Sequence, residues 1–138
     1  MTLELTEYTE VHTLWFVGWD WGDFLGYVFR QPGGVWTAEW RIRYHTAPKK
    51  GDPFQEDDEK RYHTITPSNP DEPADKLVEA LVFVADLVRY DMKADVYDRV
   101  DIQGTGMDAL KALEDKEWCF SKLIPVGGMD PKSGQHLN

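Results

Sequence analysis

The chain has 138 residues, enough for one domain with its own hydrophobic core, and its formal net charge is −10. An acidic balance of this size argues against direct binding of nucleic acid, because such proteins present a basic surface to the phosphates. Aromatic residues make up 13% of the chain, which argues against a disordered protein.

Cysteine usage and the N-terminal residues favour a cytoplasmic protein. The one cysteine, Cys119, cannot form a disulfide within the chain. The first residues are acidic and polar, whereas a signal peptide begins with basic residues and an apolar run. The longest apolar stretch, residues 80–85, is far shorter than the roughly 20 residues that a membrane span needs. We therefore expect no membrane contact.

The first half of the chain predicts an antiparallel meander. Residues 11–17 and 24–30 are rich in β-branched and aromatic side chains, and residues 35–45 alternate strictly between two faces. A clear turn at residues 31–34 separates the last two of these segments. After a long polar loop, residues 61–66 predict a fourth strand.

A long helix is predicted in the second half. After the proline and capping signals of residues 68–73, apolar residues recur at helical spacing up to about Met92. The helix is expected to lie over the sheet, with Leu77, Leu81, Val84 and Val88 above Trp36, Trp40, Ile42 and Tyr44. Residues 96–102 alternate between apolar and charged side chains, and they predict a short edge strand.

A second, shorter helix is predicted over residues 108–116. Thr105 and Asp108 have the spacing of a capping box at its start. Residues 104–109 also match the glycine-rich loop GxGxxA that binds dinucleotides. Asp108 would place a negative charge where the phosphate should sit, so we interpret the motif as a helix cap.

Together these elements predict an α+β fold. The sheet is an antiparallel β-meander of about four strands, covered on one face by a long amphipathic helix and followed by a second, shorter C-terminal helix. We expect a single domain over residues 1–126. Glycine, proline and polar residues predict a flexible C-terminal tail over residues 127–138.

Cationic side chains cluster on the polar face of the predicted sheet. Arg41, Arg43 and His45 share a face of the third strand, while Arg61 and His63 share a face of the fourth. If these strands are neighbours, the five side chains converge and need an anionic partner. That partner is either a small anionic ligand or the chain's own acidic residues.

Aromatic residues crowd into residues 15–44. Adjacent rings such as Trp15 and Phe16 point to opposite faces of a strand, and one helix layer covers only one face. The other rings either form an interface, as in a homodimer through the sheet, or fill a second core cluster under loops. The candidate interface residues are Trp15, Trp19, Trp21, Tyr27 and Phe29.

Acidic residues concentrate in the helical half. Residues 71–103 hold nine acidic and four basic side chains. Asp86, Asp91, Asp95 and Asp98 form a candidate surface for a partner. Spaced carboxylates can imitate a phosphate backbone and bind a nucleic-acid-binding protein, or they can simply keep a small protein soluble.

The sequence offers weak evidence for catalysis. The four histidines have none of the spacings typical of metal sites, and Cys119 lies between two aromatic residues that predict a buried, inert thiol. Asp20 and Asp23 lie in a Trp-flanked turn; paired carboxylates could act on sugars, but turn capping is the simpler interpretation. We expect no cofactor and no metal.

Three hypotheses on function follow. The leading one is a small acidic interaction protein without catalysis, acting through an aromatic-rich sheet surface and an acidic helix, as a homo-oligomer or with another protein. The first alternative is a small anionic-ligand binder or enzyme that uses the Arg/His cluster. The second alternative is an inhibitor that mimics nucleic acid.

Overall fold

A five-stranded antiparallel sheet and two helices form the fold in a computed structural model, which describes residues 5–46, 51 and 63–114. The elements are β1 (Glu10–Trp19), β2 (Gly22–Arg30), β3 (Thr37–Tyr44), β4 (His63–Ile65), α1 (Ala74–Met92), β5 (Val96–Thr105) and α2 (Gly106–Glu114). The predicted α+β class, with an antiparallel sheet, a long helix and a shorter helix after it, is confirmed. The predicted tail over residues 127–138 lies outside the described residues.

The strands lie in the order β4-β3-β2-β1-β5, and all neighbours are antiparallel. Strands β1 to β4 form the predicted meander, and β5 adds to the free side of β1. The register of β1 against both neighbours shifts between Val11 and Thr13, which is the mark of a β-bulge. Gly26 pairs with Trp15 and Trp40 without a shift in register.

Buried apolar side chains lie on both faces of the sheet, because successive residues of a strand point to opposite sides. The α1-side cluster joins α1 to the sheet; its buried members are Trp15, Val17, Trp19, Phe24, Val28, Ala38, Ile42, Ala74, Leu77, Val78, Leu81, Ala85 and Val88. The α2-side cluster joins α2 to the opposite face; its buried members are Leu5, Val11, Leu14, Leu25, Tyr27, Phe29, Ala109, Leu110 and Leu113.

The candidate interface rings lie in these two clusters. Trp15, Trp19, Tyr27 and Phe29 are buried, and Trp21 is half-buried against the α1-side cluster. The structure shows a second core cluster, packed with α2 and not only with loops. Because Trp15, Trp19, Tyr27 and Phe29 are buried within the chain, these four rings are not available as the surface of a homodimer.

Specific backbone contacts define the helix ends. α1 follows Pro73 and ends at Met92, and the next residue, Lys93, has the left-handed angles φ 52° and ψ 51° and donates its N–H to the carbonyls of Arg89 and Tyr90. At the start of α2, the Thr105 N–H donates to Asp108 Oδ2 over 2.8 Å. Of the two hydrogen bonds of a capping box, this contact is the one from the first residue's backbone N–H to the acidic side chain three residues later.

Candidate functional site

The predicted cluster of five cations is divided between the two faces of the sheet. Arg41 and Arg43 lie on the face of the α2-side cluster. His63 stacks on the ring of Trp40 with their centroids 3.9 Å apart, so it lies on the opposite face. Arg61 lies outside the described residues. The described part of the chain therefore does not bring His63 together with the two arginines.

Asp23 is the carboxylate around which two of the predicted cations gather. Its side chain is buried, and Oδ2 accepts a hydrogen bond of 2.6 Å from Arg43 Nη2. The same oxygen lies 3.1 Å from His45 Nε2. Arg43 and His45 thus have an acidic partner within the chain, which corresponds to the second of the two alternatives for this cluster.

A second polar contact on the same face is fully buried. The Tyr27 hydroxyl donates a hydrogen bond to the Glu39 carboxylate, and both side chains are inaccessible to solvent. The two residues are directly opposite in the β2–β3 register. Sequence analysis missed this pair, because the pairing of a tyrosine with a glutamate becomes visible only once the register is known.

Three large apolar side chains remain exposed on one side of α1. Phe83, Leu87 and Tyr90 are 65%, 47% and 80% exposed. Their spacing of four and three residues places them on one face of the helix, and we refer to them as the outer stripe. The opposite face of α1, including Leu81 and Ala85, is buried in the α1-side cluster. Sequence analysis missed the outer stripe and assigned the apolar run of α1 to the core.

Charged residues lie beyond both ends of the outer stripe, among them Glu79 and Lys93. Glu79 is four residues before Phe83, and Lys93 is three residues after Tyr90. None of the ion pairs among residues 5–46, 51 and 63–114 involves Glu79 or Lys93. Both charges are therefore available to a partner that docks along this face of the helix.

An open cleft of about 650 Å³ lies at the C-terminal end of α1. It is lined by Arg89, Tyr90, Asp91, Lys93, Ala94, Asp95 and Tyr97. The Arg89 guanidinium lies 5.1 Å from the centre of the Tyr97 ring. Because two basic and two acidic side chains line it, the cleft has no single charge that would select a ligand.

The four aspartates of the predicted acidic surface do not share one face. Asp91 and Asp95 line the cleft, while Asp86 Oδ1 lies 3.8 Å from Arg89 Nε. Asp98 pairs with Phe16 in the β1–β5 register and lies on the opposite face of the sheet. The carboxylates are therefore too dispersed to follow the regular spacing of a phosphate backbone.

Asp86 also affects its neighbour Tyr97. Burial raises the pKa of the Tyr97 phenol, and the hydrogen bond with the Asp86 carboxylate raises it further. Asp86 thus favours the neutral form of the Tyr97 phenol, and its Oδ1 lies 3.8 Å from Arg89 Nε.

Comparison with known proteins gives no match to a protein-family model, a curated protein or a solved structure. Neither of the two described helices is both long and apolar enough to cross a membrane. In the described part of the chain, no group of three or more His, Cys, Asp or Glu side chains is placed to hold a metal ion.

Proposed function

We propose that this protein is an interaction module that binds another polypeptide through the outer stripe of α1. The observation that carries the proposal is the exposure of Phe83, Leu87 and Tyr90 on one face of a helix whose other face is buried. Contiguous exposed apolar side chains mark protein-binding surfaces, and aromatic residues are enriched there. Each such side chain contributes about 1.5–3 kcal/mol when a partner buries it fully.

The proposed class of function, an interaction protein, is the one expected from the sequence. The proposed binding surface is different, because it lies on α1 and not on the sheet. The expected sheet surface consisted of rings such as Trp15 and Tyr27, which lie in the core. The outer stripe supplies apolar side chains that a partner can reach without opening the fold. Its geometry is that of an amphipathic helix with a second apolar face, a common element of helix-mediated recognition.

The two alternative functions have less support. A binder of small anions would need free cations, but Arg43 and His45 already contact Asp23. A mimic of nucleic acid would need a continuous row of carboxylates, and Asp98 lies on a different face from Asp91.

Crosslinking at a defined position tests the proposed function. A benzophenone amino acid replaces Leu87 in the chain produced in the cells that naturally make it, and illumination captures any polypeptide in contact. The matched control carries the same amino acid at Tyr8, which is 64% exposed and lies outside α1. We expect a covalent adduct from position 87 and none from position 8.

A second step connects the adduct to the outer stripe. Serine at both Phe83 and Tyr90 should abolish the adduct from position 87, because these rings supply most of the buried apolar surface. Circular dichroism should show unchanged helix content, since the two side chains are exposed. The proposal fails if position 87 gives no adduct, or if the two serine substitutions leave the adduct unchanged.

A further inference from the structure

We infer that the polypeptide bound by the outer stripe is a second copy of this chain, held as an antiparallel pair of α1 helices that cross at Leu87. This inference rests on the proposed function and adds the identity of the partner. The two copies would be related by a two-fold axis through the crossing point. In such an isologous interface, the same residues contribute from both chains.

The spacing of the outer stripe is self-complementary. Phe83 lies four residues before Leu87 and Tyr90 lies three residues after it. At a helical rise of about 1.5 Å per residue, these positions are about 6 Å and 4.5 Å from the crossing point. In an antiparallel pair, Phe83 of one copy therefore lies beside Tyr90 of the other, and the two Leu87 side chains meet at the centre.

The charges at the ends of the outer stripe are complementary in the same arrangement. Glu79 lies eight residues before Leu87, about 12 Å along the helix axis, and Lys93 is the left-handed residue that directly follows the last turn of α1, six residues after Leu87. An antiparallel pair brings Glu79 of each copy to Lys93 of the other, twice by symmetry. A parallel pair would place each charge beside its own equivalent, which is repulsive.

The contacts of the neighbouring acidic residue are compatible with this pairing. Asp86 precedes Leu87 and lies close to the two-fold axis, where it would meet Asp86 of the other copy. Its Oδ1 is 3.8 Å from Arg89 Nε. This partner holds the carboxylate within its own chain and reduces the repulsion between copies.

Sedimentation equilibrium of the purified full-length chain provides the first test. We expect a monomer–dimer equilibrium that depends on concentration. Phe83→Ser and Leu87→Ser should each raise the dissociation constant about tenfold or more, as expected for hot-spot residues. Tyr8→Ser is the matched control because Tyr8 is as exposed as Phe83, at 64% against 65%, and it should leave the dissociation constant unchanged.

Charge reversal tests the antiparallel geometry. Glu79→Lys and Lys93→Glu should each raise the dissociation constant about three- to tenfold, because two attractive contacts become repulsive. The double variant should return to within about twofold of the wild type, since both contacts are restored with opposite polarity. An equal mixture of the two single variants should form the mixed dimer in preference to either homodimer. A substitution that merely damaged the helix would give neither the recovery in the double variant nor the preference for the mixed dimer.

The outcomes separate this inference from the proposed function. A chain that is monomeric up to millimolar concentration overturns the inference, as does a dimer that the Phe83 and Leu87 substitutions leave intact. If the chain is monomeric and position 87 still crosslinks to a different polypeptide, the proposed function stands with another partner. If the chain is monomeric and position 87 gives no adduct, both are wrong. A dimer that does not respond to charge reversal excludes the antiparallel arrangement.

Discussion

At the scale of single residues, Asp23 determines how the polar face of β2 and β3 is neutralised. Its side chain is buried, and a buried carboxylate is stable only when hydrogen bonds and opposite charges replace its water shell. Arg43 and His45 supply these contacts at 2.6 Å and 3.1 Å. A residue that the sequence predicts to lie in a turn is therefore a buried residue of β2.

Replacing Asp23 by Asn should destabilise the fold by about 1–3 kcal/mol, because the Arg43 guanidinium loses its carboxylate partner. Urea unfolding followed by circular dichroism measures the difference. Asp20→Asn is the control: Asp20 lies in the adjoining turn, is exposed, and should change the free energy of unfolding by less than about 0.5 kcal/mol. Equal effects of the two substitutions would contradict the assigned role of Asp23.

Tyr97 gives the fold a dependence on alkaline pH. Burial, followed by the contact with Asp86, raises the pKa of Tyr97 above its ordinary value of 10.0. Ionisation is therefore easier in the unfolded chain, so the contribution of Tyr97 to stability is complete below pH 10 and is lost as the pH rises through the folded-state pKa. Tyr97→Phe should make the thermal midpoint less sensitive to alkaline pH. A pH profile identical to that of the wild type would contradict this explanation.

At the scale of secondary-structure elements, the start of α2 packs closely against the turn that precedes β1. The Gly106 N–H donates to the Thr9 carbonyl over 2.9 Å. A Cβ atom at Gly106 would lie 2.2 Å from the Thr6 carbonyl oxygen, which is closer than atoms can approach. Glycine at this position therefore lets α2 approach the N-terminal turn closely.

Gly106→Ala should destabilise the fold by about 1–3 kcal/mol, because the backbone of the turn or the helix must move to admit the methyl group. The change should appear as a lower urea midpoint. Met107→Ala is the control, since Met107 is the next residue of α2 and its side chain is exposed. If Gly106→Ala is neutral or stabilising through its higher helix propensity, the close contact with Thr6 is not important.

Strands and helices could be predicted where the sequence has a regular alternation of apolar and polar residues or a recognisable cap. The alternation in residues 35–45 and the Thr105–Asp108 spacing correspond to β3 and to the cap of α2. The orientation of Phe83 could not be predicted, because residues 80–85 are all apolar. Such a run contains no polar residue that would indicate which side of the helix faces solvent.

The candidate site was less predictable than the fold, because its geometry depends on strand register. His63 pairs with Trp40 and so faces the α1-side cluster. A register shifted by one residue would place His63 on the face of Arg41, and the long loop before β4 gives no sequence signal that selects between the two registers. The burial of Glu39 was unpredictable for the same reason, because its pairing with Tyr27 becomes visible only when the strand register is known.

At the scale of the whole molecule, net charge opposes self-association. Each chain has a formal charge of −10, so two chains repel over distances comparable to the Debye length. The edge strand β5 also carries charged residues such as Asp98 and Arg99, which discourage the addition of another strand. Helix α1 is therefore a more favourable place for contact than the edge formed by β5.

Added salt should strengthen the proposed dimer. Raising the ionic strength from about 0.01 M to 0.15 M shortens the Debye length from about 30 Å to 8 Å and screens repulsion between the two acidic chains. The Glu79–Lys93 contacts are screened as well, but they are outweighed by the repulsion of the whole molecules. Sedimentation equilibrium at the two ionic strengths should give a lower dissociation constant at the higher one. Weaker association in added salt would show that attraction between charges dominates.

All five tryptophans in the described part of the chain lie in or against the α1-side cluster, and this determines what tryptophan fluorescence can report. Trp15 and Trp19 are buried in the α1-side cluster, and Trp21, Trp36 and Trp40 pack against it. In a Trp118→Phe variant, these five side chains would be the only source of tryptophan fluorescence. Emission would then respond to changes on the side of the sheet that holds α1 and would be nearly blind to local opening of α2. Tryptophan emission in this variant would thus follow the α1-side half of the core by itself.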